Sequence, residues 1–293
     1  MAFAIGIDVG GSHISGGIVN ITSGEINEES YREKPIDPLG PKEDILTTWK
    51  EFISMLMEQH KDLNIKKIGF AMPGPFDYEN GIGSFEGVPK YNSLNGVNVR
   101  RYLQENLDNG MEIDIVFKND ATAFARGEYN SGAAKHIEKV WVLTLGTGFG
   151  STFLIDGNPA LTGAGMPEGG YFWNQSFKDG IADQFFSTRW FENNWKERTG
   201  QEIKGVKPLV QLFDKGNTEA VSIFRDFAQN LSDFLAPWLQ STDAKGVVIG
   251  GGIARAWDYF APVLETNLKM AGIGIILRAG SLGKYAPVIG AVS

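Results

Sequence analysis

Residues Ile5–Val19 read Ile-Gly-Ile-Asp-Val-Gly-Gly-Ser-His-Ile-Ser-Gly-Gly-Ile-Val, and this stretch decides the fold of the chain. An apolar strand ends at Asp8, the turn Gly10-Gly11-Ser12 follows, and a β pattern then resumes. Glycines in such a turn let backbone N–H groups approach an anion closely, and the Ser12 hydroxyl adds a donor. Asp8 repels a bare phosphate but favours one that carries a divalent cation. The stretch therefore predicts a phosphate-binding hairpin, with an ordinary hairpin turn as the alternative.

Residues 139–157 repeat this pattern in the second half of the chain. They read Lys-Val-Trp-Val-Leu-Thr-Leu-Gly-Thr-Gly-Phe-Gly-Ser-Thr-Phe-Leu-Ile-Asp-Gly, so an apolar strand again meets a glycine turn with a hydroxyl, Gly146-Thr147-Gly148. Two such hairpins indicate an internal duplication. Two facing phosphate-binding hairpins are the plan of the actin-like, hexokinase-like ATPase fold. We therefore predict an α/β fold of two lobes with the active site in the cleft between them. The N-terminal lobe is residues 1–118, completed by 280–293, and the C-terminal lobe is 119–279.

The composition narrows the possible partners and compartments. The chain has 293 residues, of which 42% are hydrophobic and 21% charged, and this suits a globular protein of one large or two ordinary domains. A net charge of −8 and a pI of about 5.0 argue against nucleic acid or an anionic membrane as the main partner. The absence of cysteine excludes disulfides and a Cys-based zinc site. With no signal-peptide pattern and no membrane-spanning apolar run, we expect a soluble cytoplasmic protein.

Apolar spacing predicts strands and helices that alternate along the chain, and hence a largely parallel sheet with helices on its faces. The expected elements are a helix with an apolar face from Ile45 to Leu56, a strand over Lys66–Ala71, a helix over 97–107, a strand over Ile113–Phe117, a helix after Asp120, a long helix over 217–238, strands over Val247–Ile249 and Ile273–Leu277, and a closing helix over Pro287–Val292.

Asp120 is the catalytic candidate, because it stands where a strand ends and a run of strong helix formers begins. Ligands of open α/β sheets gather at such strand ends. A carboxylate there can accept the proton of a substrate hydroxyl as that oxygen attacks a phosphorus atom. The alternative is that Asp120 caps the following helix, and the two roles are compatible. Gly250-Gly251-Gly252, after another apolar strand, also allows the backbone to approach a nucleotide closely.

A set of motifs that covers essentially the whole chain resembles the sugar kinases of the ROK family (repressors, open reading frames, kinases), in the family's order. The motifs are Asp8-Val9-Gly10-Gly11-Ser12, Pro73-Gly74-Pro75, Asn119-Asp120-Ala121 with Gly127-Glu128, Leu145-Gly146-Thr147-Gly148, Gly250-Gly251-Gly252-Ile253 and Ile289-Gly290-Ala291. The resemblance implies transfer of the ATP γ-phosphoryl group to a sugar hydroxyl. It implies Asp120 as general base, Asn119 and Gly74 at the sugar, and Asp8 near Mg²⁺. It also implies both glycine hairpins and Gly250–Gly252 around the nucleotide.

The acceptor side departs from the family pattern. The family usually carries Glu-x-Gly-His, a zinc loop built from that His and three Cys, and then a Glu before a helix. Here Tyr171 replaces the His of Glu168-Gly169-Gly170-Tyr171, Asp183 replaces the later Glu, and cysteines are absent. The resemblance implies that Glu168, Tyr171 and Asp183 contact the sugar and that no zinc is bound. Since a phenol is bulkier than imidazole and Asp183 reaches less far, we expect glucose to be a poor acceptor and a sugar that differs at C1 or C2 to be a better one.

The sequence thus predicts a cytoplasmic, ATP- and Mg²⁺-dependent kinase of a sugar or sugar derivative, which binds neither nucleic acid nor membrane and forms a homodimer. One alternative is a polyphosphate-dependent glucokinase. It shares the Gly146–Ser151 pattern but would favour a basic groove, and the sequence has no obvious basic run. The other alternative is a non-catalytic sugar-binding regulator without a DNA-binding domain, against which the retained Asp120 argues.

Overall fold

The computed structural model describes residues 2–107 and 113–293. The strands are β1 (Phe3–Val9), β2 (His13–Asn20), β3 (Glu25–Ile26), β4 (Arg32–Pro35), β5 (Ile65–Met72), β6 (Phe76–Asp77), β7 (Ile82–Gly83), β8 (Asp114–Asn119), β9 (Lys139–Leu145), β10 (Phe149–Ile155), β11 (Asn158–Ala160), β12 (Ser176–Phe177), β13 (Gly180–Ile181), β14 (Gly246–Gly250) and β15 (Ile276–Ala279). The helices are α1 (Lys42–Gln59), α2 (Val99–Asn106), α3 (Asp120–Ser131), α4 (Ala182–Phe185), α5 (Thr188–Thr199), α6 (Lys207–Asp214), α7 (Thr218–Ser241), α8 (Trp257–Met270) and α9 (Ala286–Val292).

The chain forms two compact units, one running up to Gly132 and including Lys284–Ser293, the other spanning Ala133–Gly283. The first unit is built on a sheet of order β3-β2-β1-β5-β8, with β4 also paired to β2. Strands β1 and β2 form an antiparallel hairpin, whereas β5 and β8 continue the sheet in parallel with β1. The carboxyl ends of β1, β5 and β8 therefore lie at one edge of the sheet, where ligands of α/β folds bind.

The second unit repeats this topology. Its sheet has the order β11-β10-β9-β14-β15, in which β9 and β10 form an antiparallel hairpin and β14 and β15 continue in parallel. Each unit thus begins with a glycine-turn hairpin and adds two parallel strands beside its first strand. The internal duplication predicted from the two hairpins is present in the sheet topology.

Each unit has its own hydrophobic core. In the first, α1 buries the apolar face predicted for it, Ile45, Trp49, Phe52, Ile53 and Leu56, together with residues of the sheet. In the second, the long helix α7 contributes Phe224, Ala228, Leu231 and Leu235 to a core rich in aromatic side chains. Burial of these four residues shows that this face of α7 is part of the core, whereas Val221 on the same helix is exposed.

Several boundaries differ from the sequence predictions, and two of these differences have a clear structural reason. Strand β15 begins at Ile276 instead of Ile273, because the preceding residues close the turn after α8: Gly272 has a positive φ of 76°, and the Ile273 N–H donates to the Leu268 carbonyl. The division between the units falls after Gly132, whereas the predicted lobe boundary lies between residues 118 and 119. Helix α3 packs against α9 and therefore stays with the first unit.

Candidate active site

The first glycine turn joins β1 to β2. The Gly10 N–H closes it by donating to the His13 carbonyl at 2.9 Å, and the Tyr91 hydroxyl donates to the Gly10 carbonyl. Gly11 and Ser12 are exposed at the tip. A methyl group placed on Gly11 would lie 2.5 Å from Lys90 Nζ, so this ammonium group lies directly over the turn. Sequence reasoning missed Lys90, because it reaches the turn from the distant loop between β7 and α2.

Asp8 and Asp120 interact at the carboxyl edge of the first sheet. Burial raises the pKa of Asp8 to about 7, and repulsion by the Asp120 carboxylate adds to this rise. Asp120 remains accessible to solvent, yet the surrounding protein desolvates its carboxyl group and raises its pKa as well; the hydrogen bond from the Ala121 N–H opposes that rise. A carboxyl group whose proton affinity is raised by a second carboxylate suits either a divalent cation or proton transfer.

Asn119, not Asp120, is the N-cap of α3. Its Oδ1 accepts hydrogen bonds from the Ala121 and Thr122 N–H groups at 3.1 and 3.3 Å. Asp120 is the first residue of the helix proper. The capping role that was the alternative for Asp120 is therefore filled by its neighbour.

The other end of the Asn119 amide faces the segment that contains Gly74. Asn119 Nδ2 donates to the Tyr78 hydroxyl at 3.1 Å, and a methyl group on Gly74 would lie 3.2 Å from the same hydroxyl. The structure thus brings together Gly74 and Asn119, two residues that the resemblance implies at the sugar. It adds Tyr78, which no motif indicated.

The second glycine turn joins β9 to β10, and the Gly146 N–H donates to the Gly148 carbonyl at 3.0 Å. Thr147 is exposed at its tip. Parallel pairing of β14 with β9 brings Gly250–Gly252 beside this turn. Gly251 has φ 86°, and a methyl group on it would lie 2.4 Å from the Leu145 carbonyl oxygen, so only glycine fits there. The two glycine segments predicted to bind the nucleotide are adjacent in the second unit.

Asp183 also lies at this second turn. Its Oδ1 accepts a hydrogen bond from the Phe149 N–H at 2.8 Å, and its Oδ2 pairs with Arg189 Nη2 at 2.6 Å. A methyl group on Gly148 would lie 3.2 Å from Asp183 Oδ1. The resemblance implies that Asp183 contacts the sugar. In the structure, one of its carboxylate oxygens contacts the glycine turn and the other contacts Arg189, a residue that the motifs did not indicate.

Glu168 and Tyr171 lie in the loop after β11, where residues Glu168–Gly170 form a short 3₁₀ helix and Tyr171 is extended. The next residue, Phe172, is fully buried, stacks on Trp141 with ring centroids 4.0 Å apart, and donates its N–H to Ser151 Oγ at 2.9 Å. This anchor fixes the place of the loop against the second sheet.

Within residues 2–107 and 113–293, no group of three or more His, Cys, Asp and Glu side chains is arranged to hold a metal ion. Over the same ranges, no helix is long and apolar enough to cross a membrane.

Comparison with known proteins gives consistent matches over nearly the full length. An N-acetyl-D-glucosamine kinase of Photobacterium profundum is 25% identical over 269 residues, covering 85% of this chain and 84% of the relative. A glucokinase of Thermotoga maritima is 26% identical over 312 aligned positions, covering 95% of both chains. A crystal structure of a ROK family glucokinase from Streptomyces griseus, in complex with glucose and AMPPNP, has a TM-score of 0.77 at 22% identity and covers 99% of this chain and 98% of its own.

The structural likeness supports the predicted fold, and the sequence profile described as "ROK family" matches residues 4–293. Because that match spans almost the entire chain, this protein belongs to the ROK family and has the actin-like α/β fold that its two hairpins predict.

Proposed function

We propose that this protein is an ATP-dependent carbohydrate kinase that transfers the γ-phosphoryl group to a hydroxyl of a sugar or sugar derivative. The observation that carries the proposal is the interaction of Asp8 with Asp120 at the carboxyl edge of the first sheet, where Asp8 lies at the end of β1 beside the first glycine turn and Asp120 follows β8. Membership of the ROK family and the names of the relatives, which are sugar kinases, support the same activity.

Asp120 is the proposed general base. Its desolvated carboxyl group has a raised pKa, which brings its proton affinity closer to that needed near neutral pH. It accepts the proton of the sugar hydroxyl as the hydroxyl oxygen attacks the γ-phosphorus. Asn119 and the adjoining Gly74 and Tyr78 orient that hydroxyl, with the Asn119 amide held by its capping and Tyr78 hydrogen bonds.

Each unit supplies one glycine turn for the phosphates: the exposed tip of the first presents backbone N–H groups and the Ser12 hydroxyl, and that of the second presents backbone N–H groups and the Thr147 hydroxyl. Lys90 over Gly11 offsets phosphate charge from the first unit. The acidic character of the Asp8–Asp120 pair fits Mg²⁺ beside Asp8, and a bound Mg²⁺ supplies neutralisation of the phosphate oxygens.

The proposed acceptor is a sugar that differs from glucose at C1 or C2. Tyr171 replaces the His of the family pattern Glu-x-Gly-His, which the resemblance implies at the sugar, and the kinase of Photobacterium profundum is named for a sugar substituted at C2. A site with a polar group left unpaired rejects a substrate by orders of magnitude, whereas a methylene-sized mismatch costs only about 1–3 kcal/mol. We therefore expect kcat/KM to differ by orders of magnitude between good and poor acceptors.

The test is sugar-dependent ADP release from ATP across glucose, mannose, N-acetylglucosamine and N-acetylmannosamine. We expect at least one acceptor with kcat/KM above that of glucose. In Asp120→Asn, kcat should fall roughly 10²–10⁴-fold while ATP affinity stays unchanged. The matched control is Asp62→Asn at an exposed site, which should leave both parameters unaltered. If Asp120→Asn keeps a kcat near that of wild type, Asp120 is not the general base. If the wild-type protein binds a sugar but releases no ADP, it is a regulator and not a kinase. Turnover with polyphosphate but not with ATP would identify polyphosphate as the phosphoryl donor.

A further inference from the structure

The second glycine turn is held by groups that lie outside its own hairpin. The Asp183 carboxylate accepts the Phe149 N–H at the point where the turn enters β10. From the other side, the Gly146 carbonyl accepts both the backbone N–H of Thr188 at 2.7 Å and its hydroxyl at 2.9 Å. The turn is thus clamped at both ends by residues of the segment that leads into α5.

Arg189 follows directly after this clamp. Because consecutive Cα atoms lie about 3.8 Å apart, a residue next to Thr188 starts beside the turn. Its guanidinium is tied to Asp183 Oδ2 at 2.6 Å, while Asp183 Oδ1 is bonded to the turn itself. The arginine side chain is 63% exposed, against 21% for Asp183. A guanidinium has five N–H donors, so Arg189 can keep Asp183 on one nitrogen and present the others to a second anion.

The amino end of α5 adds a partial positive charge beside the second glycine turn. The helix begins at Thr188, and no side chain of the described residues caps it. The preceding Ser187 is fully buried, and its hydroxyl has no hydrogen-bond partner among residues 2–107 and 113–293. The amino end of a helix carries a partial positive charge that favours anions, phosphates in particular. The negative group at this place is Asp183, which Arg189 neutralises.

We propose that Asp183 and Arg189 serve the phosphoryl donor and not the sugar: Asp183 is a positioning residue for the glycine turn and the guanidinium, and Arg189 binds the terminal phosphate of ATP. The proposal rests on the kinase function proposed above and assigns two further residues to its donor side. An arginine aimed at the phosphoryl group stabilises the charge that spreads over its oxygens during transfer.

An ordinary surface ion pair is the competing explanation, since exposed pairs contribute little. Helix α5 supplies a control for it in a second arginine–aspartate pair. Arg198, near the other end of the same helix, pairs with Asp226 at 2.7 Å but lies away from the turn. If the Asp183–Arg189 pair only ties surface elements together, then Arg189→Gln and Arg198→Gln should behave alike.

The experiment compares Arg189→Gln, Arg189→Lys, Asp183→Asn and the control Arg198→Gln in the full chain. Steady-state kinetics varies ATP and the best acceptor separately, and calorimetry measures the affinities for ATP and ADP. For Arg189→Gln we expect kcat/KM for ATP to fall roughly 10²-fold, as for loss of one preorganised donor. Its ATP affinity should fall while ADP affinity and the acceptor KM stay within about twofold of wild type. Arg189→Lys keeps the positive charge but not the planar set of N–H donors, so it should retain part of the kcat/KM that Arg189→Gln loses.

Asp183→Asn separates positioning from charge. Its amide oxygen can still accept the Phe149 N–H, but the ion pair is lost, so we expect KM for ATP to rise and the acceptor KM to stay unchanged. A raised acceptor KM at unchanged ATP affinity would place Asp183 in the sugar pocket and overturn the proposal. Equal behaviour of Arg189→Gln and Arg198→Gln would also overturn it. Failure of the kinase function is distinguishable, because the wild-type protein would then release no ADP with any sugar, whereas calorimetry would still compare ATP with ADP.

Discussion

At the scale of single residues, three aspartates show how surroundings set the role of one side chain. Asp8 is desolvated and repelled by Asp120, which raises its pKa to about 7. Asp120 keeps access to solvent beside a capped helix start. The Asp183 carboxylate instead pairs with Arg189 through one oxygen and accepts a backbone N–H with the other. The two aspartates of the first unit therefore have raised pKa values, whereas Asp183 in the second unit holds its neighbours in place.

The raised pKa of Asp8 predicts a pH-dependent stability. Below the unfolded value of 3.8 the carboxyl group is protonated in both states, and its stabilising contribution is fully present. As pH rises towards 7, the unfolded chain loses this proton while the folded protein keeps it, so the free energy of unfolding falls by about 1.4 kcal/mol per pH unit. Above about pH 7 this contribution is lost. Asp8→Asn removes the effect and should gain stability relative to wild type as pH rises from 5 to 7.

Urea unfolding of wild type and Asp8→Asn at pH 5, 6, 7 and 8 measures this difference, with Asp62→Asn at an exposed site as the control. The difference between wild type and Asp8→Asn should change with pH up to 7 and then level off. A difference that is constant over the whole range would mean that Asp8 ionises in the folded protein as it does in the unfolded chain.

At the scale of elements, α3 and α9 meet backbone to backbone. A methyl group on Gly290 of α9 would lie 1.7 Å from the Ala123 carbonyl oxygen, and one on Gly127 of α3 would lie 2.0 Å from the Ala286 carbonyl oxygen. Every residue of α9 from Ala286 to Val292 is buried. Since Asp120 is the first residue of α3, this glycine contact fixes the helix that carries the proposed base.

Gly290→Ala should therefore destabilise the protein, although alanine in a helix interior is ordinarily worth 0.5–1 kcal/mol more than glycine. The steric overlap with the Ala123 carbonyl oxygen outweighs this gain and should cost about 1–3 kcal/mol or more. The control is Gly274→Ala, because no atom of the described part of the chain lies within 4 Å of a methyl group there. Chemical denaturation measures both variants. A Gly290→Ala protein as stable as Gly274→Ala would show that the two helices are not in backbone contact.

At the scale of the whole molecule, the two units share one sheet topology but differ in how their loops are held. In the second unit, the segment that carries the zinc loop in relatives forms the ribbon β12–β13 and packs on aromatic rings. Phe177 lies 5.5 Å from both Phe186 and Phe234, and the last two lie 5.1 Å apart, measured between ring centroids. Such edge and tilted contacts stabilise a loop by burial of large apolar surface.

We predict that the folded protein contains no structural zinc, because the chain has no cysteine and this segment packs on aromatic side chains. Elemental analysis should find less than stoichiometric zinc, and a chelator should leave the thermal unfolding midpoint unchanged. Phe177→Ala should lower that midpoint, as expected for loss of a large packed side chain. Chelator-induced unfolding would contradict the prediction.

The sequence by itself determined what depends on local pattern. The period of its apolar residues placed β1, α1, β5 and α7, and its two glycine turns predicted the duplicated fold and its two hairpins. These features follow from backbone conformation and side-chain alternation within a few residues of each other. The junction of β8 with α3 likewise identified Asn119 and Asp120, although not which of the two caps the helix.

Only the tertiary structure decided which side chains reach each turn. Lys90 meets Gly11, and Asp183 meets Phe149, through contacts between segments far apart in the chain. No local period encodes such a contact, because its existence depends on how strands pair and on the path of the loops between them. For the same reason, a carboxylate that resembles a sugar ligand in sequence lies on the glycine turn in space. The direction of a side chain is set by the neighbours that folding brings to it.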